Sequence, residues 1–261
     1  MYSTKIGAVD AKIDLWEDDM IQEPFFINTC GARKVPLSWQ QRPSIEMQRL
    51  YLIRGGRGYF LHADGTPEPF VRDTFYVFPH NLKARFFSDA ADPIDHVFFD
   101  FLSAPPIVAP RPLVYPAGDS PLRELAALLT AVWRDEPPEE ERKRLGFHLL
   151  RVALAMLDDI APLPYCADGT VCAALDAMHR RYAEPVTISE LAGSLHFEEN
   201  YFIRRFKAVM GQTPYAYLRA YRLMRAEELL LRGCTLAQAA VQVGYENPSS
   251  LARALRTRGG K

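Results

Sequence analysis

A helix-turn-helix pattern occurs twice in the last third of this chain of 261 residues. The copies cover residues 187–207 and 235–256, and the second begins 48 positions after the first. The matched pairs, with one extra residue in the second turn, are Thr187 and Thr235, Ala192 and Ala240, Phe197 and Tyr245, Phe202 and Leu251, Arg204 and Arg253, and Phe206 and Leu255. Because internal repeats define architecture, this duplication limits the C-terminal part to an all-α fold with two equivalent motifs.

Each copy predicts a first helix, a turn and a second helix. Thr187 and Thr235 are suited to cap the first helices, because a threonine hydroxyl accepts a hydrogen bond from a free amide of the first turn. In copy one, Glu198 begins the second helix. The predicted buried side chains are Ile188, Leu191, Ala192 and Leu195 from the first helix and Tyr201, Phe202 and Phe206 from the second.

This packing leaves one outward stripe on the second helix of each copy. The stripes are Asn200, Ile203, Arg204 and Lys207 in copy one, and Ser249, Ala252, Arg253 and Arg256 in copy two. Arginine can pair with guanine O6 and N7, asparagine with adenine N6 and N7, and Ile203 could contact a thymine methyl. A simpler alternative stays open for Arg204 and Arg205, which could bind phosphate without reading sequence. The stripes predict two helices that enter the major groove of DNA.

A third helix is predicted between the copies, over residues 214–232, with Gly233 placed to end it. At 1.5 Å per residue, a helix of about 18 residues is about 27 Å long. That length is close to the roughly 34 Å between major-groove faces one DNA turn apart. One rigid helix could therefore hold both motifs on one side of a duplex.

The net charge of −1 hides an asymmetry along the chain. Residues 167–261 carry a balance of +4, and residues 1–166 carry −5. A basic C-terminal part suits phosphate binding, although an excess this small would not establish it alone. Residues 1–20 are studded with charges and predict no signal peptide. We expect a cytoplasmic protein with no membrane segment and four reduced thiols, at Cys30, Cys166, Cys172 and Cys234.

Residues 1–116 predict a β-rich domain. Strand-like runs occupy residues 47–53, 58–62, 73–78 and 96–101, with turn-forming glycine and proline between them. In the last run, alternation puts His96, Phe98 and Asp100 on one face and Val97, Phe99 and Phe101 on the other. Many short strands favour a barrel or a sandwich.

A helical connector is predicted over residues 117–162, after a proline-rich stretch at 105–116 that favours an extended link. Asp119 and Ser120 can cap its first helix, and residues 139–160 form its second. The second helix has apolar Leu145, Leu149, Val152, Leu154 and Met156. Two interpretations stay open: the apolar stripes pack against the β domain, or they form a dimer interface.

The C-terminal residues resemble the AraC/XylS family of bacterial transcription regulators, from about residue 171 to 256. The shared elements, in order, include Glu190-Leu-Ala192, Tyr201-Phe202, Arg204 to Lys207, Gly211 to Pro214, Tyr217-Leu218, Arg222, Ala239-Ala240, Val243-Gly-Tyr245 and Arg253. Several elements in this order are far more specific than a lone helix-turn-helix pattern.

The N-terminal part resembles, more loosely, the cupin-type sensor domain of such regulators. The resemblance rests on residues 51–58, 77–79 and 96–101. It implies a barrel that binds a small effector, followed by helices that mediate dimerisation. Arg54, for an anionic or hydroxylated effector, and His96 and Phe98 are the predicted contacts. A structural histidine and plain core packing are the alternatives for His96 and Phe98.

No metal or other cofactor is expected. Metal-binding cupins use clustered ligands, usually several histidines with a carboxylate. Only His62, His80 and His96 fall in the predicted barrel, without a His-x-His pair. Neither a Gly-x-Ser-x-Gly motif nor a phosphate loop occurs, and we do not expect an enzyme.

The second copy departs from the family pattern. The resemblance implies a Gly-x-x-Pro segment and a last helix after it, and the sequence reaches Lys261 without them. Its predicted core also has Ala239 where copy one has Leu191, and Leu255 where copy one has Phe206. We therefore expect the second motif to be less stable and to contribute less affinity.

Taken together, the sequence predicts an α+β multidomain protein: a cupin-like β-barrel (1–116), a helical connector (117–162) and an all-α double helix-turn-helix domain (167–261). The expected function is sequence-specific binding of double-stranded promoter DNA under control of a small-molecule effector. The expected protein partners are a second copy of the chain and, for an activator, RNA polymerase. The alternative is a cupin-type enzyme or ligand-binding protein whose C-terminal helices bind protein.

Overall fold

A computed structural model describes residues 25–35, 47–80, 82, 84–135 and 137–259 of the chain. The charged segment 1–20, for which no signal peptide is expected, lies outside these residues. Within them, eight strands come first and eight helices follow, with all strands before Ala117. The expected β-rich N-terminal part and all-α C-terminal part are confirmed.

Five antiparallel strands form the larger sheet, in the order β1-β7-β2-β5-β8. Their bounds are β1 Phe25–Lys34, β2 Gln48–Gly55, β5 Thr74–Phe78, β7 Asp95–Ser103 and β8 Leu113–Pro116. The predicted alternation on β7 is confirmed, because His96 and Phe98 lie on the inner face and Val97 and Phe99 pack on the outer one.

The second sheet has three strands in the order β4-β3-β6. These are β3 Gly58–Leu61, β4 Pro67–Pro69 and β6 Arg85–Ser88. Aromatic rings fill the space between the two sheets, with Phe60 and Phe86 from the small sheet against Tyr51, Tyr76 and Phe78 from the large one. Among the described strands no ladder joins the two sheets, so the predicted barrel is an open pair of sheets around an aromatic core.

The connector helices, α1 Leu122–Val132 and α2 Glu139–Ile160, cover the outer face of the large sheet. The buried side chains of both helices share one hydrophobic cluster with the large sheet, which agrees with the interpretation that the apolar stripes pack against the β domain. The contact is close at Gly146, where an added Cβ would lie 2.4 Å from the Cys30 sulfur. The buried stripe of α2 differs from the predicted one, since Leu150 and Leu157 are buried and Val152 is 47% exposed.

The proline-rich stretch is more ordered than predicted. Residues 113–116 form β8 and pair with β5, which a terminal edge strand allows despite the prolines around it. Ile107 is fully buried and forms an isolated bridge with Tyr165, in the linker that leads into the C-terminal domain. The prediction of an extended connector was therefore wrong for this part of the chain.

Six helices form the C-terminal domain. They are α3 Gly169–Arg181, α4 Ile188–Ser194, α5 Glu199–Met210, α6 Pro214–Leu231, α7 Leu236–Gln242 and α8 Pro248–Gly259. The two predicted motifs correspond to α4–α5 and α7–α8, and α6 is the predicted connecting helix of 18 residues. Both motifs pack on α6 and thereby share one scaffold.

Candidate nucleic-acid interface

The two motifs begin with the same local structure. The Thr187 side chain accepts from the Glu190 amide, and the Glu190 carboxylate accepts from the Thr187 amide. Thr235 and Gln238 form the same reciprocal pair at the start of α7. Such a capping box satisfies two otherwise free amides and fixes the first residue of each helix. Both predicted caps are confirmed.

The turn between the helices also has one shape in both motifs. His196 and Gly244 hold the same place, 48 positions apart, and have φ of +60° and +74°. In each copy the amide of the next residue, Phe197 or Tyr245, donates back to the carbonyl of the small residue in the first helix, Ala192 or Ala240. The left-handed backbone at this position reverses the chain and directs the second helix across the first.

The second helices begin with caps of different charge. The Glu198 carboxylate accepts from the amides of Asn200 and Tyr201, which hold the pKa of this carboxyl below its usual value. At the start of α8 the neutral Asn247 side chain accepts from the Ser250 amide. Glu198 is thus the cap of α5, and the helix begins at Glu199, one position after the predicted start. The capping side chain of α5 is therefore a carboxylate and that of α8 a neutral amide.

A large core supports the first motif. Its fully buried members include Phe202, Phe206 and Met210 from α5, packed on Leu191 and Ala192 from α4. Ala192 lies where two helices meet, as its small size predicts. Tyr201 departs from the prediction because it is 42% exposed and stacks on Phe197 at a centroid distance of 5.6 Å, outside the core.

The second motif has a thinner core. Its buried residues are Leu223, Ala226, Ala239, Ala240, Val243, Leu251 and Ala254, of which four are alanines. Leu255, the counterpart of Phe206, is only partly buried. An alanine buries far less apolar area than a leucine or a phenylalanine, so this core contributes less stabilisation. The expected asymmetry between the motifs is therefore present in their packing.

The predicted stripe of α5 faces away from the core. Asn200, Arg204 and Lys207 are exposed, and Ile203 is half-buried. The Asn200 side-chain amide donates a hydrogen bond to the Glu198 carboxylate at 3.0 Å. This contact sets the orientation of the Asn200 side-chain carbonyl oxygen. Arg204 is exposed. Its positive charge adds to the lowering of the Glu198 pKa that the backbone hydrogen bonds cause. That these four side chains contact DNA stays a prediction.

The stripe of α8 is also at the surface. Ser249, Arg253 and Arg256 are exposed, and Ala252 is half-buried. Apart from its two arginines, this stripe consists of the small residues Ser249 and Ala252. The predicted role of these four residues in DNA binding stays a prediction, with Arg253 as its strongest member.

Arg205 is held apart from the stripe. Its Nε lies 2.7 Å from the carboxylate of Asp168, which also caps the start of α3. The pair joins α5 to α3 across the first motif. The sequence left phosphate binding open for Arg205 as for Arg204, and no local pattern indicated a partner 37 positions away.

The predicted effector contacts lie in the N-terminal domain but are already engaged. Arg54 forms an ion pair with Asp95 at 2.5 Å, and both side chains are mostly buried. His96 is 2% exposed, its Nδ1 is 3.2 Å from the Arg33 carbonyl, and its ring contacts Tyr51 edge-on. Burial lowers the pKa of His96 to about 4, with the Arg33 charge adding to the effect.

Phe98 is 7% exposed, and the Arg33 guanidinium lies over its ring at 4.6 Å. A buried ion pair that the sequence did not indicate, Arg49 with Asp100 at 3.3 Å, lies on the same face of the sheet. Burial raises the pKa of Asp100, and the Arg49 charge opposes this. Within the described residues the inner face is a packed aromatic and ionic layer.

The two domains contact each other directly. The Arg225 guanidinium of α6 lies between the rings of Phe26 and Tyr182, at 5.4 and 5.7 Å. Phe26 belongs to β1, and Tyr182 follows α3. Met47 and Leu102 of the β domain pack with α6 in the same cluster. The interface thus places the N-terminal domain against the helix that connects the two motifs.

Two buried histidines add to this interface. The Gln212 side-chain amide donates to His80 Nε2 at 3.1 Å, and His179 Nε2 is hydrogen-bonded to the Tyr217 hydroxyl at 2.8 Å. His179 also stacks on Tyr221. Burial lowers the pKa of His80 to about 3 and that of His179 to about 4. Both imidazoles are therefore neutral near pH 7.

Within the described residues, two surface cavities lie away from the predicted effector residues. One, of about 460 Å³, lies between β1, α2 and α6 and is bordered by Phe26, Lys143 and Met224. The other, of about 620 Å³, lies between α1 and α2. Among the described residues there is no cluster of three His, Cys, Asp or Glu that could hold a metal ion. Nor does any helix of the described chain have the length and apolar character needed to cross a bilayer.

Comparison with known proteins agrees with this arrangement. Residues 191–261 match the family model described as a helix-turn-helix domain. An AraC-like transcription regulator of Streptomyces lividans is 36% identical over 113 residues. The match covers 43% of this chain and 36% of that protein, so the chain aligns with only about a third of this relative.

Among solved structures, ToxT from Vibrio cholerae O395 aligns with a TM-score of 0.57 at 10% identity. The alignment covers 90% of this chain and 93% of ToxT. A ToxT structure with a bound unsaturated fatty acid aligns with a TM-score of 0.54, at 10% identity, over 89% of this chain and 91% of that one. At these identities the likeness establishes a common two-domain fold.

The fold and the two exposed stripes define a double helix-turn-helix protein with an N-terminal β domain. Residues 191–261 match a helix-turn-helix family model, and the C-terminal part is similar to AraC-like transcription regulators, while the whole chain shares the two-domain fold of ToxT.

Proposed function

We propose that this chain is a sequence-specific DNA-binding transcription regulator whose N-terminal domain receives a small-molecule effector. The observation that carries the proposal is the pair of exposed stripes on α5 and α8, each on the second helix of a capped motif and joined by α6. A regulator of this kind acts by binding and needs no catalysis.

The chemistry of the stripes supports major-groove binding. Arg204 and Arg253 are exposed and can each pair with a guanine, and Asn200 can pair with an adenine. Lys207 and Arg256, one turn further along each helix, are suited to phosphate. Each phosphate contact releases counterions, so binding should weaken steeply with added salt.

The N-terminal domain is the proposed site of effector control. Its fold likeness to ToxT, one form of which is solved with an unsaturated fatty acid, supports this assignment. Arg54, His96 and Phe98 stay the proposed effector contacts. An anionic effector at Arg54 would have to replace Asp95 as the partner of the guanidinium. Asp95 and Phe26 lie toward opposite ends of the β1–β7 pair, so such a change would have to pass along these strands to reach Arg225 of α6.

The proposed division of the chain is a sensor domain over 1–116, helices over 117–162 and a DNA-binding domain over 167–261. We further propose a homodimer through the helices, where Leu128 and Val152 are 48% and 47% exposed. Sedimentation of a Val152→Glu variant tests this, since a monomer is expected if the face is an interface. An unchanged dimer would place the interface elsewhere.

Selection of binding sites from a randomised duplex library tests DNA recognition. The wild-type chain should enrich one sequence, and a salt series on that sequence should give a steep loss of affinity. The double variant Arg204→Ala, Arg253→Ala should lose the enrichment. Arg232→Ala is the matched control, because this exposed arginine lies past the end of α6 and pairs with Glu228. No enrichment by the wild-type chain at low salt would contradict the proposal.

A further inference from the structure

The short segment 182–184, between α3 and α4, is contacted from two other parts of the DNA-binding domain. The first contact comes from α6. Arg222 Nε donates to the Tyr182 carbonyl and its Nη2 donates to the Glu184 carbonyl, both at 2.6 Å. Carbonyls just past a helix end have no partner within the helix, and a guanidinium satisfies two of them with one planar group.

The second contact comes from the turn of the second motif. An added Cβ at Gly244 would lie 2.7 Å from the Ala183 carbonyl oxygen and 3.1 Å from that of Tyr182. These atoms belong to backbone and cannot swing aside as a long side chain could. The turn between α7 and α8 therefore approaches the segment that leads into α4 more closely than any residue but glycine permits.

A third contact strengthens the same junction. Burial raises the pKa of the hydroxyl of Tyr245, next to Gly244, and the nearby charges of Arg219 and Arg222 on α6 oppose this rise. Tyr182 itself packs against the cores of both motifs. The turn of the second motif therefore contacts residues 182–184, which lead into the first motif. This contact is additional to the packing of both motifs on α6.

We propose that Arg222 and Gly244 are positioning residues that fix the separation of the two recognition helices, and so the number of base pairs between the two DNA segments they read. The proposal rests on the DNA-binding function proposed above. Neither residue belongs to the exposed stripes, and each acts through the backbone of residues 182–184.

The geometry of DNA makes this separation consequential. One added base pair moves a half-site by about 3.4 Å along the axis and by about 35° around it. Two helices held at a fixed separation can keep all of their base contacts at only one spacing of the two half-sites. A lost bidentate base contact costs roughly 1–3 kcal/mol, which is about fivefold to 150-fold in affinity.

The test uses the full chain and the sequence it selects from a randomised duplex library. Duplexes are then made with one or two base pairs added or removed between the two half-sites. The measured quantity is the ratio of the dissociation constant for each altered duplex to that for the selected one. This ratio cancels a uniform loss of affinity, such as the loss of one positive charge. The variants are Gly244→Ala and Arg222→Gln, each with its melting temperature recorded.

Gly233→Ala is the matched control for the glycine. Gly233 also has a positive φ, of +86°, but an added Cβ there meets nothing within 4 Å. Arg232→Gln is the control for the arginine, since Arg232 bonds only to a neighbour on its own chain segment, Glu228, among the described ion pairs.

The wild-type chain and both controls should bind the altered duplexes about tenfold or more weakly than the selected one. Arg222→Gln and Gly244→Ala should reduce this ratio to about threefold or less, because the helices can then adjust. If Gly244→Ala does not fold, Arg222→Gln alone decides. A folded Arg222→Gln variant with the full wild-type ratio would overturn the inference while leaving DNA binding intact. Failure of the wild-type chain to select any sequence would overturn the proposed function and the inference with it.

Discussion

His196 and Gly244 occupy the same turn position in the two motifs, yet only Gly244 is placed against backbone. His196 has φ of +60° and is exposed, whereas the Cα of Gly244 faces the Ala183 carbonyl. Both positions require left-handed backbone, and only the second also requires the absence of a side chain. The same turn is therefore constrained to different degrees in the two copies.

This difference predicts unequal responses to substitution. His196→Gly removes a left-handed penalty of about 1–2 kcal/mol but adds about 0.5–1 kcal/mol of chain entropy to the unfolded state. The free energy of unfolding should therefore change by about 1 kcal/mol or less. Gly244→Ala should lower it by about 2 kcal/mol or more, because strain and a backbone collision add. Urea unfolding of the two variants measures both changes in free energy. Equal effects would contradict the conclusion that only Gly244 is placed against backbone.

The two stripes should contribute unequally to DNA affinity. Arg204→Ala should cost about 1–3 kcal/mol of binding free energy, and Arg253→Ala should cost less. The reason is that Arg204 has Asn200 and Ile203 beside it on a well-supported helix, whereas Arg253 has small neighbours over a thin core. Fluorescence anisotropy on the selected duplex gives both values. A larger loss for Arg253→Ala would reverse the assignment.

The second motif should open more often than the first. Four of the seven buried residues in its core are alanines, while the first core holds Phe202, Phe206 and Leu191. Less buried apolar area means a smaller free energy of local opening. Amide hydrogen exchange should therefore be faster in α7 and α8 than in α4 and α5. Equal protection of both motifs would show that α6 and residues 182–184 compensate for the thin core.

Stability should fall as the pH is lowered below about 6.5. His80, His96 and His179 are buried and neutral, with pKa values lowered to about 3, 4 and 4. The unfolded chain takes up protons near pH 6.5 and the folded chain does not, so each histidine stabilises the fold above that pH. This stabilisation is lost progressively as the pH falls from 6.5 toward 4.

Between pH 7 and 5 the loss should be up to about 2 kcal/mol for each of these histidines. His179→Gln should reduce the slope of the unfolding free energy against pH. His148→Gln, at an exposed position on α2, is the control and should leave the slope unchanged. A slope unaffected by His179→Gln would mean that this imidazole is accessible to protons in the folded chain.

The repeated motif could be predicted closely because its determinants are local. The caps at Thr187 and Thr235 depend on residues three positions away, and the stripes depend on helical period. The alternation of β7 was predictable for the same reason. Strands β1, β4, β6 and β8 were missed, since prolines or mixed patterns conceal them and their partners lie far along the chain.

The contacts that position the candidate site were beyond local reasoning. Arg222 and Tyr182 are 40 positions apart, and His80 and Gln212 are 132 apart. Spacing of this size leaves no periodic signal. The exposure of Tyr201 and the partner of Arg205 likewise depend on how helices pack, which the sequence pattern restricts but does not determine.

Tyr182 packs against three hydrophobic clusters at once: the core of the first motif, the core of the second, and the interface with the β domain. The energetic cost of replacing it cannot be assigned to any one of them. Substitutions in separate cores, such as Leu191→Ala and Leu251→Ala, would normally add, because these side chains belong to different hydrophobic clusters and different helices. Because both cores contact Tyr182, the two substitutions are expected to show a coupling energy. A double-mutant cycle measured with and without Tyr182 would show how much of this coupling its ring provides.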